Sequence, residues 1–190
     1  MIRFQNIVLF TAIIIGALQA EVIEQPMVVI IPSYNNERWH KANLASVLNQ
    51  NYSNYRIIYI NDSSKDKTAK YVENMVKKFV KDYRVIHFDT LHEDIPTSTN
   101  AFIELVNQKK RFFTLVNNYR RQGALANLYR AIYSCEDHEI MVLVDGDDWL
   151  FHNDVLKEIN ELYNAGDIWI THGKFVEYPK GGDGVESPFT

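Results

Sequence analysis

The chain has 190 residues, 46% of them hydrophobic, which is enough to bury one core and fits a single domain. A formal net charge of -4 argues against nucleic acid as the main partner. The single cysteine, Cys135, excludes an internal disulfide and a cysteine-built zinc site; at the end of a helix it reads as inert packing.

The first residues, Met1-Ile-Arg3-Phe-Gln-Asn, form a short cationic lead to an apolar run from Ile7 to Leu18, followed by Gln19-Ala20-Glu21. Residues 1–20 read as a secretory signal peptide cleaved after Ala20. Leu18 is bulkier than the small residue wanted near such a cut, so an uncleaved amino-terminal anchor is the alternative, although the run is short for a full span. Cleavage sends the chain to the secretory pathway, the periplasm or the extracellular space. Retention associates it with a membrane. Asn51-Tyr-Ser53 is an acceptor triplet where the host glycosylates.

A folded domain is expected over residues 26–179, with a flexible tail over 180–190. Val28-Val-Ile-Ile is a buried-strand run stopped by Pro32-Ser-Tyr34-Asn-Asn36-Glu37. Arg56 to Ile60 repeats the pattern and ends in Asn61-Asp62-Ser63-Ser-Lys-Asp66, where Ser63 and Asp66 have capping-box spacing. Ala69, Val72, Val76, Phe79 and Val80 give the next helix an apolar stripe and leave its lysines in solvent. Arg84–Phe88 reads as a third strand. The stretch from Asp89 to Arg111 reads as a variable insertion near the sheet edge, with a short helix around Ala101 to Asn107. Strand character resumes at Phe112, and Leu125, Leu128, Tyr129 and Ile132 form a core-facing stripe that excludes Asn127.

Ile140-Met-Val-Leu-Val then ends in Asp145-Gly-Asp147-Asp148-Trp149, three carboxylates within four residues. Alternation puts Asp145 and Asp147 on one side, where hard oxygen ligands at a strand end can hold a divalent cation carrying nucleotide phosphates. A polar strand-to-helix turn, with Asp148 or Asn153 capping a helix over Asn153–Asn164, is the plainer reading. Strands at Ile168–Thr171 and Phe175–Tyr178 follow. In open α/β sheets the ligand lies beyond the carboxyl ends of the strands, so these polar turns should converge on one crevice.

Taken in order, Val28-Val-Ile-Ile-Pro-Ser-Tyr-Asn-Asn36, Ser46-Val-Leu-Asn-Gln50, Asn61-Asp-Ser-Ser-Lys-Asp66 and Asp145-Gly-Asp-Asp148 resemble the family 2 glycosyltransferases of the GT-A fold. Gly123 to Asn127 is similar to that family's glycine-then-asparagine helix start, though Leu125-Ala126 stands where it usually has Ala-Arg. The resemblance implies a three-layer α/β/α sandwich around a mostly parallel sheet. It also implies a hexosyltransferase-type enzyme that takes a nucleotide-diphospho-sugar, a UDP-sugar first, uses Mn2+ or Mg2+ and inverts the anomeric carbon.

On that reading Pro32, Ser33 and Tyr34 line the base pocket, and Glu37 and Asp62 accept from ribose hydroxyls or the base edge. Arg121, Gly123 and Asn127 face the donor. Asp147 is the direct metal ligand, with Asp145 at the ribose or the metal shell and Asp148 a helper. The acceptor, whether carbohydrate, lipid or protein, is not legible, and the expected downstream catalytic base is not found, since only Glu177, Asp183 and Glu186 follow. The domain therefore reads as incomplete at its carboxyl end, and an inactive or truncated nucleotide-sugar binding module is the alternative. His172 reads as a surface residue, and Trp149 and Trp169 as packing. A calcium-binding secreted protein is disfavoured because Trp149, Leu150 and Leu156 stand where a calcium loop needs a ligand, a glycine and a glutamate.

Overall fold

The computed structural model describes residues 23–89 and 95–178, the side chains of residues 95–97 excepted. The signal or anchor segment and the tail lie outside the described residues, as do Asp183 and Glu186. Five parallel strands form one sheet: β1 (Met27–Ser33), β2 (Tyr55–Asn61), β3 (Tyr83–Phe88), β4 (Phe113–Asn118) and β5 (Ile140–Leu143), in the order β3-β4-β2-β1-β5. The helices are α1 (His40–Leu48), α2 (Thr68–Phe79), α3 (Ile95–Asn107), α4 (Ala124–Tyr133) and α5 (Val155–Ala165).

The strands read as continuous apolar runs because both sheet faces are covered. All seven residues of β1 are buried. On one face Val29, Ile31, Ile57 and Tyr59 pack with α1 (Leu44, Val47), α2 (Val72, Val76) and α5 (Leu156). On the other, Val28, Ile30, Ile58 and Ile60 meet α3 (Phe102, Val106) and α4 (Ala131). This is the expected three-layer sandwich, with an all-parallel sheet among the described residues. β1 pairs with β2 on one side and β5 on the other, so the strand order reverses at β1 and opens a crevice at the carboxyl edge.

Several elements differ from the sequence reading. The stretch read as an edge insertion holds the 13-residue α3, whose Phe102 and Val106 close the second core. The core-facing stripe of α4 is rotated: Leu125 is 82% exposed, while Asn127, Arg130 and Ala131 are buried. Hydrophobic period alone missed this because the buried face of α4 includes hydrogen-bonded polar groups. Phe79 is 63% exposed, and Val80 is buried in its place. Phe79 stands on the rim of a cavity of about 1060 Å³ between α1 and α2. The stretches 168–171 and 175–178 are not strands; only Val176 makes an isolated bridge, and Trp169, expected to pack, is 94% exposed. They add no strand beside β5.

At the opposite edge Arg56, at the start of β2, holds Glu139 through Nε to Oε1 at 2.8 Å and Nη2 to Oε2 at 2.7 Å, with both side chains nearly buried. Burial alone would raise the Glu139 carboxyl, but Arg56 and the Glu136 N–H outweigh it and hold it below the usual range. Glu139→Ala strands a buried guanidinium and should cost about 3 kcal/mol in urea denaturation. Glu73→Ala, which breaks the exposed Glu73–Lys77 pair, should leave the urea midpoint essentially where it is.

Candidate functional site

The acidic turn is an extension of the sheet. Beyond β5 the ladder continues through Val144 N–H to Ile30 O at 3.1 Å and Gly146 N–H to Pro32 O at 3.0 Å. Alternation persists with it: Val142, Val144 and Gly146 are buried, while Asp145 and Asp147 are exposed. A Cβ at position 146 would come within 2.5 Å of both Asn36 Nδ2 and Ser33 Oγ, so only glycine lets the turn lie against β1. Asp148 N–H donates to Asp145 O at 3.0 Å and closes the turn. Burial raises the Asp148 carboxyl first, and the charges of Asp147 and Asp145 raise it further. Neither Asp148 nor Asn153 caps the next helix; α5 starts at Val155 with Asp154 at its cap position.

Helix α1 supports the turn and the loop after it. Buried Asn43 donates from Nδ2 to Asp145 O at 3.0 Å and Asp148 O at 2.7 Å. Ser46 Oγ accepts Leu150 N–H at 3.0 Å. Gln50 donates to His152 O at 2.8 Å and accepts Leu156 N–H at 3.0 Å. Beside them Trp39, Trp149 and Tyr178 pack ring to ring at centroid distances of 5.2 to 6.2 Å, so Trp149 is a packing residue as expected.

The loops after β1 and β2 interlock. Asn35 and Ser63 take left-handed backbone, with φ of 57° and 59°. Asn35 N–H donates to Ser64 Oγ, and Lys65 N–H to Asn35 Oδ1. Glu37 N–H donates to Asp66 Oδ2, and Lys67 N–H to Glu37 Oε2. The expected Ser63–Asp66 capping box does not form. Asp66 alone accepts the Thr68 N–H at 2.9 Å, while the Ser63 hydroxyl donates to Tyr119 O.

Asp62, only 3% exposed, is the knot of the next layer. Its Oδ1 accepts Asn118 Nδ2 at 2.9 Å and Gln122 N–H at 2.8 Å, and its Oδ2 accepts Gly123 N–H at 2.8 Å. Burial alone would raise this carboxyl, but those donors prevail and hold it below the usual range. Gly123, at φ 85°, turns the chain into α4. Asn127 Oδ1 accepts Asn118 Nδ2 at 2.9 Å, so a hydrogen bond holds Asn127 where the apolar stripe could not.

The structure thus gathers the expected residues at one edge and orders them by depth. Pro32 and Ser33 are buried, with Ser33 Oγ accepting from Tyr59 OH and Asn36 Nδ2. Tyr34 is half-exposed under Arg121, whose Cζ lies 4.0 Å from the ring centroid. Glu177 and His172 are exposed. Among the described residues no three His, Cys, Asp or Glu side chains converge as a metal cluster. Sequence reasoning missed Asn43, Asn118 and Arg130, a buried cation whose Nη2 donates to Ser98 Oγ at 3.0 Å. For Asn43 and Arg130 the signal was a polar residue at a core-facing helix position, and for Asn118 the polar end of strand β4. Burial pushes the Cys135 thiol up to about 11, in keeping with inert packing.

A helix-covered parallel sheet with polar turns converging at its switch point defines an α/β protein of the GT-A type. Residues 28–107 match the profile of "Glycosyl transferase family 2", and over that stretch the chain is similar to that family. An uncharacterized glycosyltransferase of Haemophilus influenzae is 27% identical over 147 residues, covering 77% of this chain and 46% of the relative. One of Rickettsia bellii is 34% identical over 76 residues, 40% of this chain and 10% of the relative. The chain therefore spans less than half the length of these curated relatives. Among solved structures, Staphylococcus aureus TarS has a TM-score of 0.51 at 19% identity, over 74% of this chain and 20% of TarS. TarS 1-349 in complex with UDP has a TM-score of 0.50 at 16% identity, over 74% of this chain and 32% of that one. These two show the shared fold.

Two outcomes follow from the geometry. Gly146→Ala must push β1 and the turn apart and should cost about 1–3 kcal/mol by urea denaturation. A carboxylate held below its unfolded value gives stability that is full above the unfolded pKa and is lost as pH falls through the folded one. Asp62 should therefore contribute an acid-side loss below about pH 4. In Asp62→Asn that part of the pH slope should vanish, with stability at pH 7 lower by about 1–3 kcal/mol.

Proposed function

We propose that this chain forms the donor site of a glycosyltransferase that moves a sugar from a nucleotide-diphospho-sugar, a UDP-sugar first, to a hydroxyl acceptor with inversion. The observation that carries the reading is the Asp145–Asp148 turn, held against β1 at the switch point with Asp145 and Asp147 exposed. The complex of TarS 1-349, a protein of the same fold, is with UDP. That supports uridine as the first base to try.

The residues of the turn fit a hard divalent cation, Mn2+ or Mg2+. Such ions take one or two carboxylates and complete their shell with phosphates and water, which suits two exposed carboxylates better than a closed protein cage. Asp147 and Asp145 would hold the ion, and its contribution when bound is to offset the charge that grows on the leaving nucleoside diphosphate.

The chain's own groups divide the remaining work. Arg121 is placed to pair with diphosphate oxygens, and the Tyr34 ring below it offers a face to the base. Glu37, with Oε2 engaged by Lys67, keeps Oε1 to accept from a ribose hydroxyl. Pro32, Ser33, Asp62, Gly123 and Asn127 shape the wall of the crevice from below. The signal or anchor segment would put this site in the secretory pathway, the periplasm or the extracellular space, or tether it to a membrane. No helix of the described residues is long and apolar enough to cross a membrane.

Calorimetric titration of the full chain with UDP and GDP, with Mn2+ and with chelator, tests the reading. Metal-dependent UDP binding should fall at least about tenfold in Asp147→Asn, with the melting temperature unchanged. A folded wild-type protein that binds neither nucleotide would sink the proposal.

A further inference from the structure

Asn43 is completely buried on the face of α1 that also carries His40, Leu44 and Val47, and beside Leu44 and Val47 an aliphatic side chain would pack without hydrogen-bonding needs. Burying an amide is costly unless its groups are paired. Only half of this one is: Nδ2 spends its two hydrogens on the carbonyls of Asp145 and Asp148, while Oδ1 has no partner. The acidic turn does not need Asn43 in order to close, because the Asp148 N–H to Asp145 O bond already does that. What the amide adds is the turn's orientation. It grips both ends of a segment that carries three carboxylates within four residues. Gly146 fixes the middle of the same segment against β1.

We propose that Asn43 is the positioning residue of the acidic turn: it sets the site's affinity for a divalent cation bound with a diphosphate while touching neither. The inference rests on the donor-site reading above. Ser46 on the same helix and Gln50 just beyond its end hold residues 150–156 and not the turn, which makes Gln50 the internal control.

The test uses the full chain as wild type, Asn43→Ala, Asn43→Leu and Gln50→Ala. Asn43→Leu keeps the space filled, so a folded variant is available where the alanine leaves a cavity. Free Mn2+ is followed by electron paramagnetic resonance during titration with saturating UDP. UDP binding in chelator and melting temperature are measured beside it. In both Asn43 variants Mn2+ affinity should fall about tenfold while metal-free UDP binding stays within about twofold. Gln50→Ala should melt lower and keep wild-type Mn2+ affinity. Unchanged Mn2+ affinity in folded Asn43→Leu overturns the inference, as does equal loss of UDP binding with and without metal. Wild-type protein that takes up no Mn2+ with UDP overturns the donor-site reading itself.

Discussion

The double pairing of β1 is the constraint on which the rest depends. With β2 on one side and β5 on the other, β1 fixes in a single register where the Pro32–Asn36 turn, the Asn61–Asp66 turn and the acidic turn end. Because the ladder runs on past β5 to Gly146, the carboxylates are part of the sheet's edge and not a loop beyond it. Their spacing is set by strand geometry, and only their final orientation is left to side chains from α1.

Behind that edge the polar residues form layers. Exposed groups such as Arg121, Asp145 and Asp147, and the half-exposed Tyr34, rest on buried ones, Ser33, Asp62, Asn118 and Asn127, whose hydrogen bonds are made to other buried side chains or to backbone. Buried polar groups joined in this way specify one geometry because each misplacement leaves a donor or acceptor unpaired. A site with few converging ligands of its own then needs little rearrangement to meet one.

The strands were legible because burial on both faces writes itself as uninterrupted Val and Ile runs, and the turns because they carry unusual acidic and hydroxyl residues. What stayed hidden had a common cause. The face of α4 was misread because Asn127 and Arg130 occupy core positions by hydrogen bonding, which no apolar period reveals. Asn43 was passed over for the same reason. The family-like stretch Ser46–Gln50 is legible in the sequence, but its meaning, the end of a helix reaching residues a hundred positions away, needs the fold. Residues 168–171 and 175–178 read as strands from composition, yet a strand exists only with a neighbour to pair with, and among the described residues only Val176 makes a bridge.

The interlocked loops after β1 and β2 bear on the entropy of binding. Four main-chain N–H groups are committed across connections 29 to 30 residues apart, at two positions with left-handed backbone. Freezing such loops around a ligand would ordinarily cost about 1–2 kcal/mol for each residue ordered. Here that ordering is met when the chain folds, so one wall of the crevice is already set before any ligand arrives.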